Sequence, residues 1–236
     1  MAKTFLWIED RKGKASYIFW GNFMKQLYPD VIVESKNNSE LVKSVKTLQD
    51  EENKYIIVFD NSFDNLQVVM EQKRLKKYAN EQKNVCLLDI ICFEYILLEF
   101  TELIEWIYAS EDDFLKKRAG MIEARHKLVE TLQDDDFDYK GIREIVDYDK
   151  RIEEHNIEQL SAKLLFDLTR NTGFEVSKGT LGECWIKSCC EWGNRQEDDI
   201  CGLDHNRLAV FDKMKRIYDG SSLKLQFPKV GLEVVA

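Results

Sequence analysis

The strongest constraint in the sequence is a regular alternation of short apolar segments with amphipathic ones over the first hundred residues. The short segments are rich in β-branched or aromatic residues and predict strands at 4–9, 31–35, 55–60 and 85–90. The segments between them place apolar residues at three- and four-residue steps and predict helices at 14–28, 39–51 and 65–81. Ser39 is the expected N-cap of the second helix. Strands that alternate with helices in this way form a parallel sheet covered on both faces.

After residue 92 the pattern becomes helical. Helices are predicted at 93–109, 112–132, 141–154, 158–172 and 205–218, and the short tail at 223–227 is expected to add an edge strand. A segment rich in Cys and Gly begins at Gly173. We therefore expect an α/β domain over residues 1–110, with an open, mostly parallel sheet and flanking helices of the Rossmann-like kind. A mainly helical appendage with the Cys-rich segment is expected over residues 111–236.

Composition and charge narrow the functional class. The apolar content of 44% is enough for a packed core, and the longest apolar runs are too short to cross a bilayer. The N-terminal segment reaches Glu9 and Asp10 within ten residues, which is not typical of a signal peptide. Six cysteines are too few for a disulfide scaffold, and indicate reduced thiols or a metal site. We expect a soluble, cytoplasmic protein without a membrane partner.

The net charge of −9 argues against a protein that coats nucleic acid along its whole surface. The charge is uneven along the chain, however. Residues 1–100 contain 14 Lys and Arg against 15 Asp and Glu, a net charge of −1, so residues 101–236 carry the other −8. A nucleic-acid substrate is therefore compatible with the first half of the chain.

Acidic residues follow the predicted strands. Ligands of an open parallel sheet bind outside the carboxyl ends of its strands, and clustered carboxylates there favour a hard cation such as Mg²⁺ or Mn²⁺. Such an ion can activate water and stabilise a leaving oxygen in phosphodiester cleavage. Asp and Glu also end strands simply because they favour turns and helix N-caps. The acidic residues at these positions are Glu9, Asp10, Asp60, Asp64, Asp89 and Glu94.

Two segments carry a resemblance to a known family. FLWIEDRKGKASYIFWGNFMKQL, a strand ending in Glu9, and KYIIVFDNSFDN, a strand ending in Asp60, resemble the two acidic motifs of Toprim (topoisomerase–primase) domains. The likeness is to small nucleases of the overcoming-lysogenization-defect and phage-defence type, and CFEYILLEF resembles their helix with an acidic residue. The resemblance covers roughly residues 1–100.

This resemblance implies a Mg²⁺- or Mn²⁺-dependent nuclease acting on DNA or RNA, in an anti-phage defence setting and with a partner ATPase. It implies that Glu9 is the general base or a metal ligand and that Asp60 and Asp64 are ligands, with Asp10 and Glu94 assisting. Lys178 would supply positive charge to the phosphoryl transition state, with Lys12 and Lys14 as alternatives.

The alternative is a non-catalytic module, either a degenerate Toprim domain or a receiver-like domain, that acts through protein–protein contacts. The Asp-x-Asp motif of the family is Asp60-Asn61-Ser62 here, so its second carboxylate is absent unless Asp64 replaces it. A receiver domain has an acidic pair after its first strand and an Asp after its third, which Glu9, Asp10 and Asp60 match. Its Thr or Ser after the fourth strand and its Lys after a fifth have no counterpart here.

A second metal is suggested by the cysteine cluster. Cys184, Cys189, Cys190, Cys201 and His205 have the spacing C-x4-C-C-x10-C-x3-H, and zinc takes four Cys or His ligands. Cys184, Cys189, Cys201 and His205 are the candidate ligands of a structural Zn²⁺ in the appendage. The vicinal pair does not match a standard zinc finger, and buried structural thiols explain the same residues. No hydrolase triad, P-loop or dinucleotide fingerprint occurs.

Overall fold

A computed structural model of the chain describes most residues. The described ranges are 2–62, 65–110, 112–133, 139–148, 150–152, 156–177, 179–191, 201–204 and 206–233. Three predicted site residues lie outside these ranges. They are the predicted metal ligand Asp64, the predicted catalytic Lys178 and the predicted zinc ligand His205.

The N-terminal part contains a four-stranded, all-parallel sheet. Its strands are β1 (Thr4–Ile8), β2 (Val31–Ser35), β3 (Lys54–Val58) and β4 (Val85–Leu87). The strand order is β2-β1-β3-β4, with Thr4 in register with Val31 of β2 and Lys54 of β3. The predicted α/β class with a parallel sheet is confirmed. Strand β2 has the predicted bounds, whereas β1, β3 and β4 are shorter at their carboxyl ends than the sequence predicts, because their last predicted residues leave the ladder and form loops.

Three helices connect the strands and cover both faces of the sheet. They are α1 (Ala15–Leu27), α2 (Asn38–Lys46) and α3 (Leu66–Asn80). Alternate strand residues point to opposite faces. Leu6, Ile8, Ile56 and Val58 pack with α1, whereas Trp7, Tyr55, Ile57 and Phe59 pack with α2 and α3. The two helices α2 and α3 therefore lie together on one face, opposite α1.

The N-cap of α2 is Asn37, so the prediction of Ser39 is wrong. The Asn37 side chain accepts a hydrogen bond from the Glu40 amide, and the Glu40 carboxylate accepts one from the Asn37 amide, both at 2.9 Å. This reciprocal capping box satisfies two helix-terminal donors at once, which a cap at Ser39 would not do.

The rest of the chain is mainly helical. Its helices are α4 (Phe93–Glu99), α5 (Leu103–Ile107), α6 (Asp113–Lys117), α7 (Ala119–Gln133), α8 (Lys140–Val146), α9 (Ile157–Thr169), α10 (Glu183–Ile186), α11 (Val210–Asp219) and α12 (Leu223–Lys229). Strands β5 (Val176–Ser177) and β6 (Thr180–Leu181) pair with each other as a two-stranded antiparallel ribbon. The prediction of an edge strand at 223–227 is wrong. This segment forms α12, which buries Phe227 against Trp20 and Phe23 of α1.

One hydrophobic cluster runs through both parts of the chain. It contains sheet residues such as Leu6, helix α1 residues such as Phe19, and appendage residues such as Leu164 and Phe227. The boundary near residue 110 stays a prediction, and residues on both sides of it share this core. None of the helices within the described ranges is long and apolar enough to cross a membrane.

The appendage holds one fully buried ammonium group. The Lys213 side chain of α11 donates from Nζ to the backbone oxygens of Cys184 (2.8 Å) and Lys187 (3.0 Å) and lies over the Phe174 ring. A buried polar group that loses a hydrogen bond costs free energy, and removal of the ammonium takes one donor from each of two carbonyl groups.

We expect Lys213→Met to lower the free energy of unfolding by about 2 kcal/mol, measured by urea denaturation. The control is Lys215→Met on the same helix, since Lys215 is exposed and pairs with Asp219 at 3.3 Å. We expect a change below about 0.5 kcal/mol for the control. Equal stability of the two variants would contradict the structural role of Lys213.

Candidate active site

Glu9 connects three elements at the carboxyl edge of the sheet. It directly follows β1, and its amide donates to the Val58 oxygen of β3 at 3.1 Å. Its carboxylate accepts hydrogen bonds from the Asp60 amide (Oε2, 3.1 Å) and from Asn38 Nδ2 in the first turn of α2 (Oε1, 2.6 Å). Glu9 is thus held at the point where β1, β3 and α2 meet, as the parallel-sheet prediction requires.

Asp60 lies beside Glu9, at the end of the neighbouring strand. Its Oδ1 accepts a hydrogen bond from the amide of Phe93, the first residue of α4, at 3.1 Å. Its backbone oxygen accepts one from Gln72 Nε2 of α3 at 2.6 Å. The side chain therefore has one oxygen bound to a helix amide, and the backbone is tied to a buried glutamine.

The residues after Asp60 tie its loop to the rest of the sheet. The Asn61 amide donates to the Ile91 oxygen at 2.7 Å, and its side chain donates to the Ile90 oxygen. The Ser62 amide donates to Gln72 Oε1 at 3.2 Å. Asn61 thus links the end of β3 to the segment after β4, and Ser62 occupies the place of the second carboxylate in the family motif.

Two further carboxylates reach this group from helices. Glu94 lies in the first turn of α4 and Glu158 in the first turn of α9, a helix that packs against α4. Asp10 also borders the group and accepts a hydrogen bond from Ser16 Oγ. Sequence reasoning missed Glu158, since only the packing of α9 on α4 brings it to residues that are far away in the chain. Asp89, by contrast, is exposed to solvent.

The carboxyl groups of this site disfavour one another's ionisation. Burial raises the pKa of Glu9 to about 7, and the charges of Glu158 and Asp10 add to the shift, while the hydrogen bonds from Asp60 and Asn38 oppose it. Burial, followed by the charge of Glu158, likewise raises the pKa of Glu94 to about 7.

The pKa of Asp60 is also raised well above its usual value. Burial is the main cause, and the charges of Glu94, Glu9 and Glu158 act in the same direction. Close carboxylates cannot all ionise without a counterion, so this group either retains protons near neutral pH or takes up a cation. Strongly shifted carboxyl groups of this kind are typical of functional sites.

A pocket of about 480 Å³ opens beside Glu9 and Asp10. Two positively charged side chains in its wall, Arg11 and Lys14, come from the loop before α1. Residues 37–39, at the start of α2, form the rest of the wall. Backbone amides at a helix N-terminus and basic side chains both favour a phosphate group. The pocket therefore offers anionic oxygen ligands and phosphate-binding groups within one depression.

A small cavity of about 10 Å³ lies on the other side of the same carboxylates. Its wall includes Glu9, Asp10, Asp60, Ser16 and the fully buried Trp20. The indole N–H of Trp20 has no hydrogen-bond acceptor in the described part of the protein. A cavity of this size has room for about one water molecule.

No group of three or more His, Cys, Asp or Glu in the described ranges is arranged to hold a metal ion. The predicted zinc ligands Cys184, Cys189 and Cys201 are partly exposed and form no disulfide among the described residues. The backbone amide of Cys189 donates to the Leu208 oxygen at 2.9 Å. With His205 outside the described ranges, the zinc site stays a prediction.

The structure brings some of the predicted site residues together and leaves others apart. Glu9, Asp10, Asp60 and Glu94 lie at one edge of the sheet, as predicted, and Lys14 lines the adjacent pocket, whereas Lys12 is exposed in the loop before α1. Arg11, Trp20 and Glu158 join them without having been predicted. Comparison of the chain with known family models, characterised proteins and solved structures finds no match.

Proposed function

We propose that the chain is a divalent-metal-dependent phosphodiesterase of Toprim type that cleaves nucleic acid. The observation that carries the proposal is the group of half-buried carboxyl groups at Glu9, Asp60 and Glu94. Their pKa values are raised, and the group borders a pocket containing Arg11 and Lys14. Carboxylates that repel one another beside basic side chains suit a cation and a phosphate bound together.

The available groups fit Mg²⁺ or Mn²⁺ in their chemistry. Mg²⁺ prefers oxygen ligands and is commonly bound by one or two carboxylates, several waters and the substrate phosphate, so it needs no cage of three protein ligands. Glu9 and Asp60 would hold the ion, with Asp10 and Glu94 assisting. The unsatisfied indole N–H of Trp20 would donate to a water in the small cavity. When bound, the ion would activate water and stabilise the leaving oxygen.

The residues of the chain supply the rest of the chemistry. Arg11 and Lys14 would bind the phosphate oxygens and compensate charge that develops on them. Without a metal the pKa of Glu9 is about 7, so the group is partly ionised at neutral pH, and a bound cation would favour its carboxylate form. Asn38 and the Asp60 amide orient the Glu9 carboxylate. The nature of the nucleic acid, a defence setting and a partner ATPase stay predictions.

Calorimetric titration of the purified protein with Mn²⁺ tests the metal directly. We expect saturable binding by wild type and at least about tenfold weaker binding by Asp60→Asn, which removes a charge and keeps the shape. The control is Asp89→Asn, an exposed carboxylate after β4. Binding that is equal in all three proteins would contradict the site.

Addition of a carboxylate at Ser62 is expected to strengthen metal binding. Ser62→Asp restores the Asp-x-Asp motif, and its backbone is already positioned by Gln72. An additional anionic ligand should raise the affinity for Mn²⁺ by about tenfold. The measurement is the same titration with Ser62→Asn as the control, since asparagine has nearly the same size without the charge. A gain shared by both variants, or by neither, would show that Ser62 lies outside the coordination sphere.

A further inference from the structure

Helices α2 and α3 carry a strong local excess of positive charge. Together they contain six Lys or Arg residues and two Glu residues, in a chain whose net charge is −9. The six basic side chains are all exposed. We call this surface the basic ridge; it consists of Lys43, Lys46, Lys73, Arg74, Lys76 and Lys77.

The charges of the basic ridge are not neutralised by neighbouring acids. In the described ranges, none of its six side chains forms an ion pair within 4.0 Å. Lys46 instead lies 5.9 Å from the centroid of the Tyr78 ring, which joins the last turn of α2 to α3. The ridge is therefore a continuous electropositive surface across two helices, available to an anionic partner.

The basic ridge also reaches the edge of the candidate active site. Ser39, which lines the 480 Å³ pocket, contacts Glu71 of α3 at 3.4 Å, so the pocket wall leads directly onto the two helices. Lys76 donates to Asn61 Oδ1 at 3.5 Å, and Asn61 follows Asp60 in the chain. From Ser39 to Lys46 the axis of α2 extends roughly 10 Å, at about 1.5 Å per residue.

We propose that the basic ridge binds the phosphate backbone of a nucleic acid and guides it into the pocket beside Glu9. This inference rests on the proposed phosphodiesterase function and assigns the surface that holds its nucleic-acid substrate outside the pocket. Five of the six residues are lysines, which act as flexible point charges toward phosphate and do not read base edges as paired arginine contacts do. The ridge therefore gives binding without sequence preference, and a strong dependence on salt.

A nucleic acid fits this surface better than an acidic protein does. The pocket next to the start of α2 places Arg11 and Lys14 beside Glu9 and Asp10, which is where a phosphodiester must arrive for cleavage. An acidic protein would gain the same attraction on the ridge but would have no group to place between Glu9 and Arg11.

The test is fluorescence anisotropy with a labelled DNA duplex of about 20 base pairs and an RNA strand of similar length, from about 50 to about 200 mM salt. EDTA is present, so that cleavage does not interfere. The ridge variant is Lys73→Gln, Arg74→Gln and Lys77→Gln combined. The control variant makes the same change in charge on exposed lysines of the appendage: Lys116→Gln, Lys224→Gln and Lys229→Gln.

We expect the ridge variant to bind the duplex at least about tenfold more weakly at about 0.1 M salt. Its plot of log affinity against log salt should be shallower by about 2.7, which is about 0.9 for each of three lost phosphate contacts. The control variant should match wild type. Equal affinity and slope in the ridge variant and wild type would overturn the inference, as would a wild-type protein that binds neither probe. Tighter binding of poly-glutamate than of duplex at equal charge would assign the ridge to an acidic protein and overturn it too.

Hydrolysis of bis(p-nitrophenyl) phosphate with Mn²⁺ separates this inference from the proposed function. The small ester needs the pocket but not the ridge, so the ridge variant should hydrolyse it as wild type does. Hydrolysis by both proteins with unchanged duplex binding would overturn the ridge alone. Absence of hydrolysis in wild type, together with a ridge-dependent loss of duplex binding, would overturn the phosphodiesterase and leave the ridge as a nucleic-acid-binding surface.

Discussion

Glu9→Gln is expected to reduce Mn²⁺-dependent cleavage of nucleic acid by at least about hundredfold, since it removes one of the two carboxylates that would hold the ion. Glutamine keeps the acceptor for the Asp60 amide and is nearly the same size, so the fold should be retained. The measurement is the initial rate on single-stranded DNA, double-stranded DNA and RNA, in each case with wild type in parallel. A circular dichroism spectrum equal to that of wild type confirms that the loss is chemical.

Asp89→Asn is the matched control for this experiment. It also removes one carboxylate from the end of a parallel strand, but the Asp89 side chain is exposed. Its rate should stay within about twofold of wild type, as expected for an exposed position outside the site. Cleavage by Glu9→Gln at the rate of the control would refute the role of Glu9. No cleavage by wild type on any substrate would favour the non-catalytic module that acts through protein contacts.

The sheet and the order of its elements were predictable because their signals are local. The apolar segments that end near Glu9 and Asp60 are buried on both faces, so they appear as continuous hydrophobic runs. Once four such runs alternate with amphipathic helices, a parallel sheet is the consistent arrangement. The carboxyl ends of β1 and β3 then lie at one edge, which is why Glu9, Asp10 and Asp60 could be grouped before the structure was known.

The rest of the site depends on packing that the sequence does not display. Glu158 joins the carboxyl group because α9 packs on α4, and no local spacing relates it to Glu94. The tail from Leu223 was expected to be a strand because Leu223, Leu225 and Phe227 alternate with polar residues. It forms α12 because a helix allows both Leu223 and Phe227, four residues apart, to enter the core.

The same limit applies to the basic residues. Arg11 and Lys14 lie near Glu9 in the chain, yet their position in a shared pocket depends on residues 37–39 of α2. Lys73 and Lys77 have the pattern of an ordinary solvated helix face. Their significance follows from the neighbouring α2, which adds Lys43 and Lys46 to the same surface, and such neighbours are known only once the sheet order is known.

The stability of the metal-free protein should decrease as the pH rises through neutrality. The carboxyl groups of Glu9 and Glu94 have a pKa of about 7 in the folded protein, against about 4.5 in the unfolded chain. Between these values the folded state binds more protons than the unfolded state, so the free energy of unfolding falls with rising pH. With allowance for solvent screening, we expect the free energy of unfolding to fall by an amount on the order of 3 kcal/mol as the pH rises from about 5.5 to about 8.5.

Urea denaturation across this pH range in EDTA measures the effect, and the double variant Glu9→Gln, Glu94→Gln should have a smaller pH dependence, with Asp60 keeping its own contribution. Mn²⁺ should reverse the trend in wild type, because it binds the ionised carboxylates and is displaced by protons as the pH falls. A pH dependence of undiminished size in the double variant would place its origin in other groups. A reversal that Mn²⁺ also produces in the double variant would place the metal elsewhere. If the double variant loses both the pH dependence due to Glu9 and Glu94 and the effect of Mn²⁺, one set of carboxylates takes either a proton or a cation, as the proposed active site requires.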